Sequence, residues 1–294
     1  MARLPFVEVQ DLAWRFVKQD NPFELEHHYG PNVHVLNDPL LLALIAKLGH
    51  PQTDQAWALQ ALGYFYQVAA HHVVRHELGT NDSDIETRMA DHDPDRARYT
   101  GPVPSGEHDL VLVSILRGGA PGTEKLKEYL AFALGRSIRV DYIAANRTTD
   151  EGHAVTGCRI SAAKLAENPS VDSKIITIND PMGATGGTIL KARDLYDGTL
   201  GMMDANFPLP GRLGKYKKMI AVHLIVAAEY IQRMANKFPD LCIYAGRVDR
   251  GLSDPEILKT RLGTYPSRER GLNNHQYIVP GAGDLGALLS GELP

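Results

Sequence analysis

One pattern limits what this chain can fold into more than any other. From Asp109 onward, short apolar, β-branched runs end in small-residue turns that lead into apolar residues at helical spacing. Residues 110–116 form such a run, Arg117-Gly118-Gly119 is the turn, and 123–134 carries the helical spacing. Residues 138–144 read as a further strand. In 174–196 a strand (174–178), a turn (180–188) and a helix (189–196) follow one another, and 219–227, 229–237 and 241–245 repeat strand, helix, strand. Side chains repeat every two residues in a strand and every 3.6 in a helix, so the alternation is readable directly. Strands separated by helices return in the same direction, which predicts an α/β fold with a central parallel sheet flanked by helices on both faces.

Upstream, residues 40–48 and 53–76 predict two helices broken at Gly49-His50-Pro51. Residues 81–108, rich in Asp, Pro, Arg and Gly, read as an irregular connection or short β-arm leaving the core. The expected division is an N-terminal extension of helices and β-arm over 1–108 and a core over 109–294. Residues 202–218 and 253–270 read as loop insertions.

The 44% hydrophobic content over 294 residues supports a large core, and no run reaches the roughly 20 apolar residues of a bilayer span. Arg3, Glu8, Asp11, Arg15 and Lys18 interrupt the first twenty residues, unlike a secretion signal, so a soluble, cytoplasmic protein is expected. A net charge of −4 advertises no nucleic-acid surface. Cys158 and Cys242 are too isolated for a disulfide framework or zinc site and are expected in the core. His72 and His76 stand one helical turn apart, a spacing that can bind metal. The glutamate that a zinc hydrolase would place with them is missing, so a solvated helix face is expected for His71, His72 and His76, and no protein-held metal.

The residues that carry chemistry begin at Asp180-Pro181-Met182-Gly183-Ala184-Thr185-Gly186-Gly187-Thr188, between a strand and a helix. Gly186 and Gly187 let backbone amides turn inward, Thr185 and Thr188 add hydroxyls, and a helix start favours an anion such as phosphate. Asp180 is an acceptor, suited to sugar hydroxyls or to a magnesium ion carried by the substrate. Gly118 and Gly119 free backbone amides at another strand end, and Arg117 adds a forked cation for phosphate oxygens.

The Asp-Pro-Met-x-Ala-Thr-Gly-Gly-Thr string resembles the diphosphate-sugar motif of the phosphoribosyltransferases, in the form used by the uracil phosphoribosyltransferase family. Ile115-Leu116-Arg117-Gly118-Gly119 resembles that family's Ile-Leu-Arg-Ala-Gly loop. Residues 271–284, Gly-Leu-Asn-Asn-His-Gln-Tyr-Ile-Val-Pro-Gly-Ala-Gly-Asp, resemble its uracil-reading segment. The resemblance covers about four fifths of the chain and implies the type I phosphoribosyltransferase fold, with a small hood from the N- and C-terminal segments. It implies transfer of phosphoribosyl from 5-phosphoribosyl diphosphate to uracil, giving UMP and diphosphate, with Mg2+ bound with the diphosphate substrate and a homo-oligomer, dimer or tetramer. It further implies that Asp180, Arg117 and Asp284 serve catalysis, that Ile278 and Gly283 pair with the pyrimidine through backbone groups, and that Leu285 follows beside the base. Asn146-Arg147-Thr148-Thr149 loosely matches the family's Tyr-Arg-Asn-Glu, making Arg147 the candidate basic residue between the phosphate motifs. The chain departs from the pattern in Leu285-Gly286-Ala287, where Ala-Gly-Asp is usual. The rival readings are a nucleotide-binding regulator with little turnover and an enzyme for another base.

Overall fold

The structure, a computed structural model, describes residues 10–116, 118–149, 151, 155–205 and 207–292. In chain order its elements are β1 (Val33–Val35), α1 (Pro39–Leu48), α2 (Gln55–Val73), β2 (Thr80–Glu86), β3 (Arg98–Pro104), β4 (Leu110–Leu116) and α3 (Gly119–Leu134). There follow β5 (Arg139–Thr149), β6 (Val155–Lys164), β7 (Ile175–Asn179), β8 (Met182–Gly183), α4 (Gly187–Asp197), β9 (Lys218–Ala227), α5 (Ala228–Lys237), β10 (Cys242–Asp249) and α6 (Leu285–Ser290).

Eight of the strands form one sheet in the order β1-β10-β9-β7-β4-β5-β6, with β8 pairing β9. Every neighbouring pair is parallel except β5 with β6. All of β7, and β9 from Met219 to its end, is buried, as a sheet covered on both faces requires. Alternate side chains sort between two cores. Leu110, Leu112, Ile220 and Val222 meet α1, α2, α3 and α6 through Ile45, Phe65, Leu126 and Leu288. Val111, Val113, Ile176 and Ile178 meet α4 and α5 through Ile189, Leu195, Tyr230 and Met234.

The two early helices start where their caps dictate. Asp38 Oδ1 accepts from the Leu41 N–H at 2.9 Å with Pro39 in the first turn, and Asp54 Oδ1 accepts from the Trp57 N–H at 2.8 Å. The arm over 81–108 is a two-stranded antiparallel pair, β2 with β3. Helix α3 begins four residues before its apolar periodicity does. Its first residue touches the end of β7, where a Cβ on Gly119 would lie 2.3 Å from the Asn179 carbonyl oxygen.

Three features differ from expectation. Strand β5 runs on to Thr149 and folds back into β6, whose sequence Val-Thr-Gly-Cys-Arg-Ile-Ser-Ala-Ala-Lys lacks a strong apolar alternation. Residues before 109 share sheet and core with the rest, through β1 at the edge beside β10 and through α2 against α3. The helix face carrying His72 is not solvated at that position: His72 is buried, facing the buried carboxylate of Glu24. Among the described residues no helix is long and apolar enough to cross a membrane.

The N-terminal segment and the 253–270 insertion pack together at the β10 end, with Leu12 N–H donating to Leu258 O and His28 N–H to Leu262 O, both at 2.8 Å. Arg250, fully buried, joins them. Its guanidinium donates to both oxygens of Asp11 at 3.0 Å, to Glu269 Oε1 at 2.6 Å and to the Thr260 carbonyl at 2.7 Å. Tyr29 OH donates to the other oxygen of Glu269 at 2.6 Å. Removing one partner of a buried ion pair strands the other charge, so Glu269→Ala should destabilise the chain by about 3–5 kcal/mol. Urea denaturation checks this; a loss under about 1 kcal/mol would mean that the Arg250 network does not hold these segments.

Candidate functional site

Parallel strands bring their carboxyl ends to one edge, the place where open α/β sheets bind ligands. Here a cavity of ≈ 750 Å³ opens beyond the carboxyl ends of β4 and β7, beside the later part of β5 and over His223 of β9. Ile115, Leu116 and Gly118 line it from the β4 turn, Ala144 to Arg147 with Gly157 and Cys158 from β5 and β6, and Asp180 to Ile189 from the β7–α4 loop. His223 and Tyr230 close its floor, and Gln276 to Ile278 with Ala282 to Gly286 come from the C-terminal segment.

The β7–α4 loop is held from behind. His223 donates through Nδ1 to the Asp180 carbonyl at 2.5 Å, so its Nε2 accepts from Tyr230 OH at 2.7 Å. Burial lowers the His223 pKa to about 4, which keeps the ring neutral and that tautomer fixed. Arg233 donates to the Thr185 carbonyl at 3.0 Å. Gly186 has φ +76°, and a Cβ there would lie 2.3 Å from Met234 Cε and 3.2 Å from the Tyr230 ring. Only glycine suits that conformation and that contact. Helix α4 therefore starts with no side-chain cap, and the amides of its first turn are available to an anion.

Asp180 is half-buried at the cavity wall. Burial raises its carboxyl to about 6, against the lowering effects of the Met182 N–H, which donates to Oδ1 at 3.2 Å, and of the Arg147 charge. The carboxyl therefore stands beside the uncapped start of α4 with its burial only partly offset.

The C-terminal segment is pinned by carboxylates. Glu229 accepts from the Gly271 N–H at 2.9 and 3.0 Å and from the Leu272 N–H at 3.2 Å. Asp249 Oδ2 accepts from the Gly281 N–H at 2.7 Å, and the Val279 carbonyl accepts from the Gly251 N–H at 3.1 Å. Asp284 Oδ1 caps α6 by accepting from the Ala287 N–H at 3.0 Å, and Ala287, where the family pattern has an acid, is buried.

Of the residues picked out in the sequence, Gly118, Arg147, every position from Asp180 to Thr188, Ile278, Gly283, Asp284 and Leu285 line this one cavity. Arg117 lies outside the described residues. Sequence reasoning missed Cys158, His223 and Tyr230; Gln276 and Tyr277, which also line the cavity, fell within the 271–284 segment but were given no role of their own. Cys158 is not a core residue: it is half-buried in the cavity wall, its Sγ 3.6 Å from Thr188 Oγ1, and burial pushes its thiol up. A signal for His223 existed, as the lone ring-polar residue within the apolar run of 219–227.

No protein-family model matches the chain. It is similar to the uracil phosphoribosyltransferase of Burkholderia pseudomallei, 24% identical over 275 residues, covering 94% of this chain and 99% of that protein. It is also similar to the uracil phosphoribosyltransferase of Dictyoglomus turgidum, 26% identical over 259 residues, covering 88% and 99%. Among solved structures, the AQ2163 protein from Aquifex aeolicus has the same fold, with a TM-score of 0.62, 23% identity and coverage of 87% of this chain and 97% of that one.

The raised Asp180 pKa has a stability consequence with a definite sign. A carboxyl whose folded pKa exceeds its unfolded value contributes stability below the unfolded value, here 3.8, and loses it as pH rises through about 6. Asp180→Asn should therefore melt higher than the native chain at pH 8, with the advantage gone below pH 4. Thermal melts of both proteins across that range test it; an Asp180→Asn chain less stable at pH 8 would contradict the account.

Proposed function

We propose that this protein is a phosphoribosyltransferase that joins uracil to the ribose of 5-phosphoribosyl diphosphate, giving UMP and diphosphate. The observation that carries the reading is convergence: three motifs from distant parts of the chain, each resembling the same family, line a single cavity at the carboxyl edge of the sheet. The curated relatives, similar over nearly their whole length, support it.

In this reading the 5-phosphate of the sugar sits on the amides of the first turn of α4, beside the hydroxyls of Thr185 and Thr188. Asp180 faces the ribose hydroxyls or the magnesium ion that arrives with the substrate diphosphate. Arg117 and the amides around Gly118 take the departing diphosphate, with Arg147 reaching in from β5. Asp284 faces the sugar diphosphate as it caps α6. The uracil ring nitrogen attacks the anomeric carbon as the bond to diphosphate breaks, and positive charge grows on the sugar ring while negative charge grows on the leaving group. Placement and electrostatic stabilisation are sufficient for such a step, and no side-chain nucleophile is required.

Selection of the base falls to the backbone at Ile278 and Gly283. Uracil presents a carbonyl and a ring N–H where cytosine presents an amino group and a bare nitrogen. Cytosine would leave two buried groups unpaired, each costing about 1–3 kcal/mol, a loss of several orders of magnitude in kcat/KM. The test is to measure kcat/KM for uracil, cytosine and hypoxanthine with 5-phosphoribosyl diphosphate. Uracil should be preferred at least about a hundredfold. A preference for hypoxanthine would transfer the site to another base, and tight nucleotide binding without turnover of any base would make the protein a regulator.

A further inference from the structure

Away from the cavity, a second polar cluster lies near the β1 edge of the sheet, and the chemistry proposed above does not use it. The Glu24 side chain is only 1% exposed. Its Oε2 accepts from the Lys18 ammonium at 2.6 Å. Its Oε1 faces three imidazoles, with His76 Nε2 at 3.0 Å, His34 Nδ1 at 3.1 Å and His72 Nδ1 at 3.7 Å. The His34 ring is hydrogen-bonded to this oxygen, and His76 approaches the same oxygen at ion-pair distance. His72 is 7% exposed, and its Nδ1 is left with no hydrogen-bond partner while aimed at the same oxygen. Buried nitrogens without partners are rare enough to require an explanation.

We propose that Glu24, His72 and His76 form a site for one divalent transition-metal ion of the zinc class. Their ligand atoms all lie within 4.8 Å of one another. A tetrahedral zinc ion, with bonds of about 2.0–2.2 Å, holds its donor atoms about 3.3 Å apart, and the separations of 3.0 and 3.7 Å from the Glu24 oxygen fall either side of that spacing. His72 and His76 share a helix face, and His76 sits in a single π-helical turn, Val74–Leu78, that continues α2. Such turns recur at functional positions. The ion gives the lone pair of His72 Nδ1 the partner that it lacks.

The surroundings suit ligation. Burial raises the Glu24 carboxyl, but the imidazoles and Lys18 outweigh burial and hold it well below the usual carboxylate range. Burial lowers the His76 pKa, favouring the neutral ring that binds metal. His34, stacked on Tyr244 at 4.6 Å, donates to Glu24 and orients it, as outer-shell groups do for metal-bound carboxylates. The His76 side chain is 28% exposed, which leaves a path for the ion and a water in the fourth position. The neighbouring group of His34, Glu77 and Cys242 differs: Glu77 already accepts from Lys218, Tyr244 and Cys242.

The ion would tie the segment before β1 to the end of α2, so binding should raise stability as well as register directly. The experiment uses the full chain without a histidine tag, stripped with chelator, then titrated with Zn2+ by calorimetry and with Co2+ by visible absorption, with Tm followed alongside. One equivalent should bind, Tm should rise, and Co2+ should develop the intense bands of a low-coordinate site. Glu24→Gln and His76→Ala should each weaken Zn2+ by more than the about 10- to 100-fold that loss of an outer-shell partner costs. His71→Ala, whose ring is exposed and meets Tyr129 OH at 2.7 Å, should leave affinity unchanged. Absence of stoichiometric uptake by the native chain, or uptake that survives both Glu24→Gln and His76→Ala undiminished, would overturn the proposal.

Discussion

A parallel sheet buried on both faces leaves only its ends for chemistry, and here the reversal from β7 into α4 sets what that end can do. The strand is buried over its whole length, and its last peptide is locked to β9 by the Asp180 N–H to Val222 O and by His223 to Asp180 O. The chain must then turn within a few residues against Tyr230 and Met234, which admits only glycine at 186. The turn leaves amides and one destabilised carboxylate at the mouth of the cavity. The rest of the site is arranged around that loop.

Two anchors hold the flanking segments, and the first of them carries a wall of the cavity. Glu229, at the start of α5, grips the peptide N–H groups of Gly271 and Leu272, so the C-terminal segment is registered to the end of β9. Arg250, just after β10, binds Asp11 and Glu269, so the N-terminal segment and the late insertion are held together. Both anchors are buried or half-buried charges satisfied by several partners, the condition under which such groups persist in a core. Asp180 is the contrast: burial raises it toward the neutral form and the Met182 amide only partly offsets that. Burial of Asp180 therefore costs stability at the cavity wall.

Much of this was legible in the sequence because the signals are local. The apolar runs of β4, β7, β9 and β10 alternate with helical periodicity, so the parallel sheet and its flanking helices could be read from spacing. The β7–α4 loop could be read from its glycines and hydroxyls, while the residues lining the cavity from the C-terminal segment were recoverable only through family resemblance, since 271–284 reads by itself as a surface turn. What escaped depends on distant contacts. Strand β6 is an edge strand of mixed polarity whose pairing with β5 carries two register shifts, and the period-two pattern is lost there. Cys158 reaches the cavity only through that strand. The i, i+4 spacing of His72 and His76 was visible, but Glu24 lies far upstream and no spacing rule links it to them; the buried carboxylate reverses the expectation of a solvated face.

The central claim is that the first turn of α4 and the loop before it hold the phosphate end of the substrate. Hydrogen exchange of the backbone amides with and without magnesium and 5-phosphoribosyl diphosphate tests it most directly. The account predicts that the diphosphate sugar slows exchange most at the amides of residues 184–189, with a smaller effect around Gly118. Unchanged exchange at 184–189 while the ligand is bound, with protection elsewhere, would contradict it.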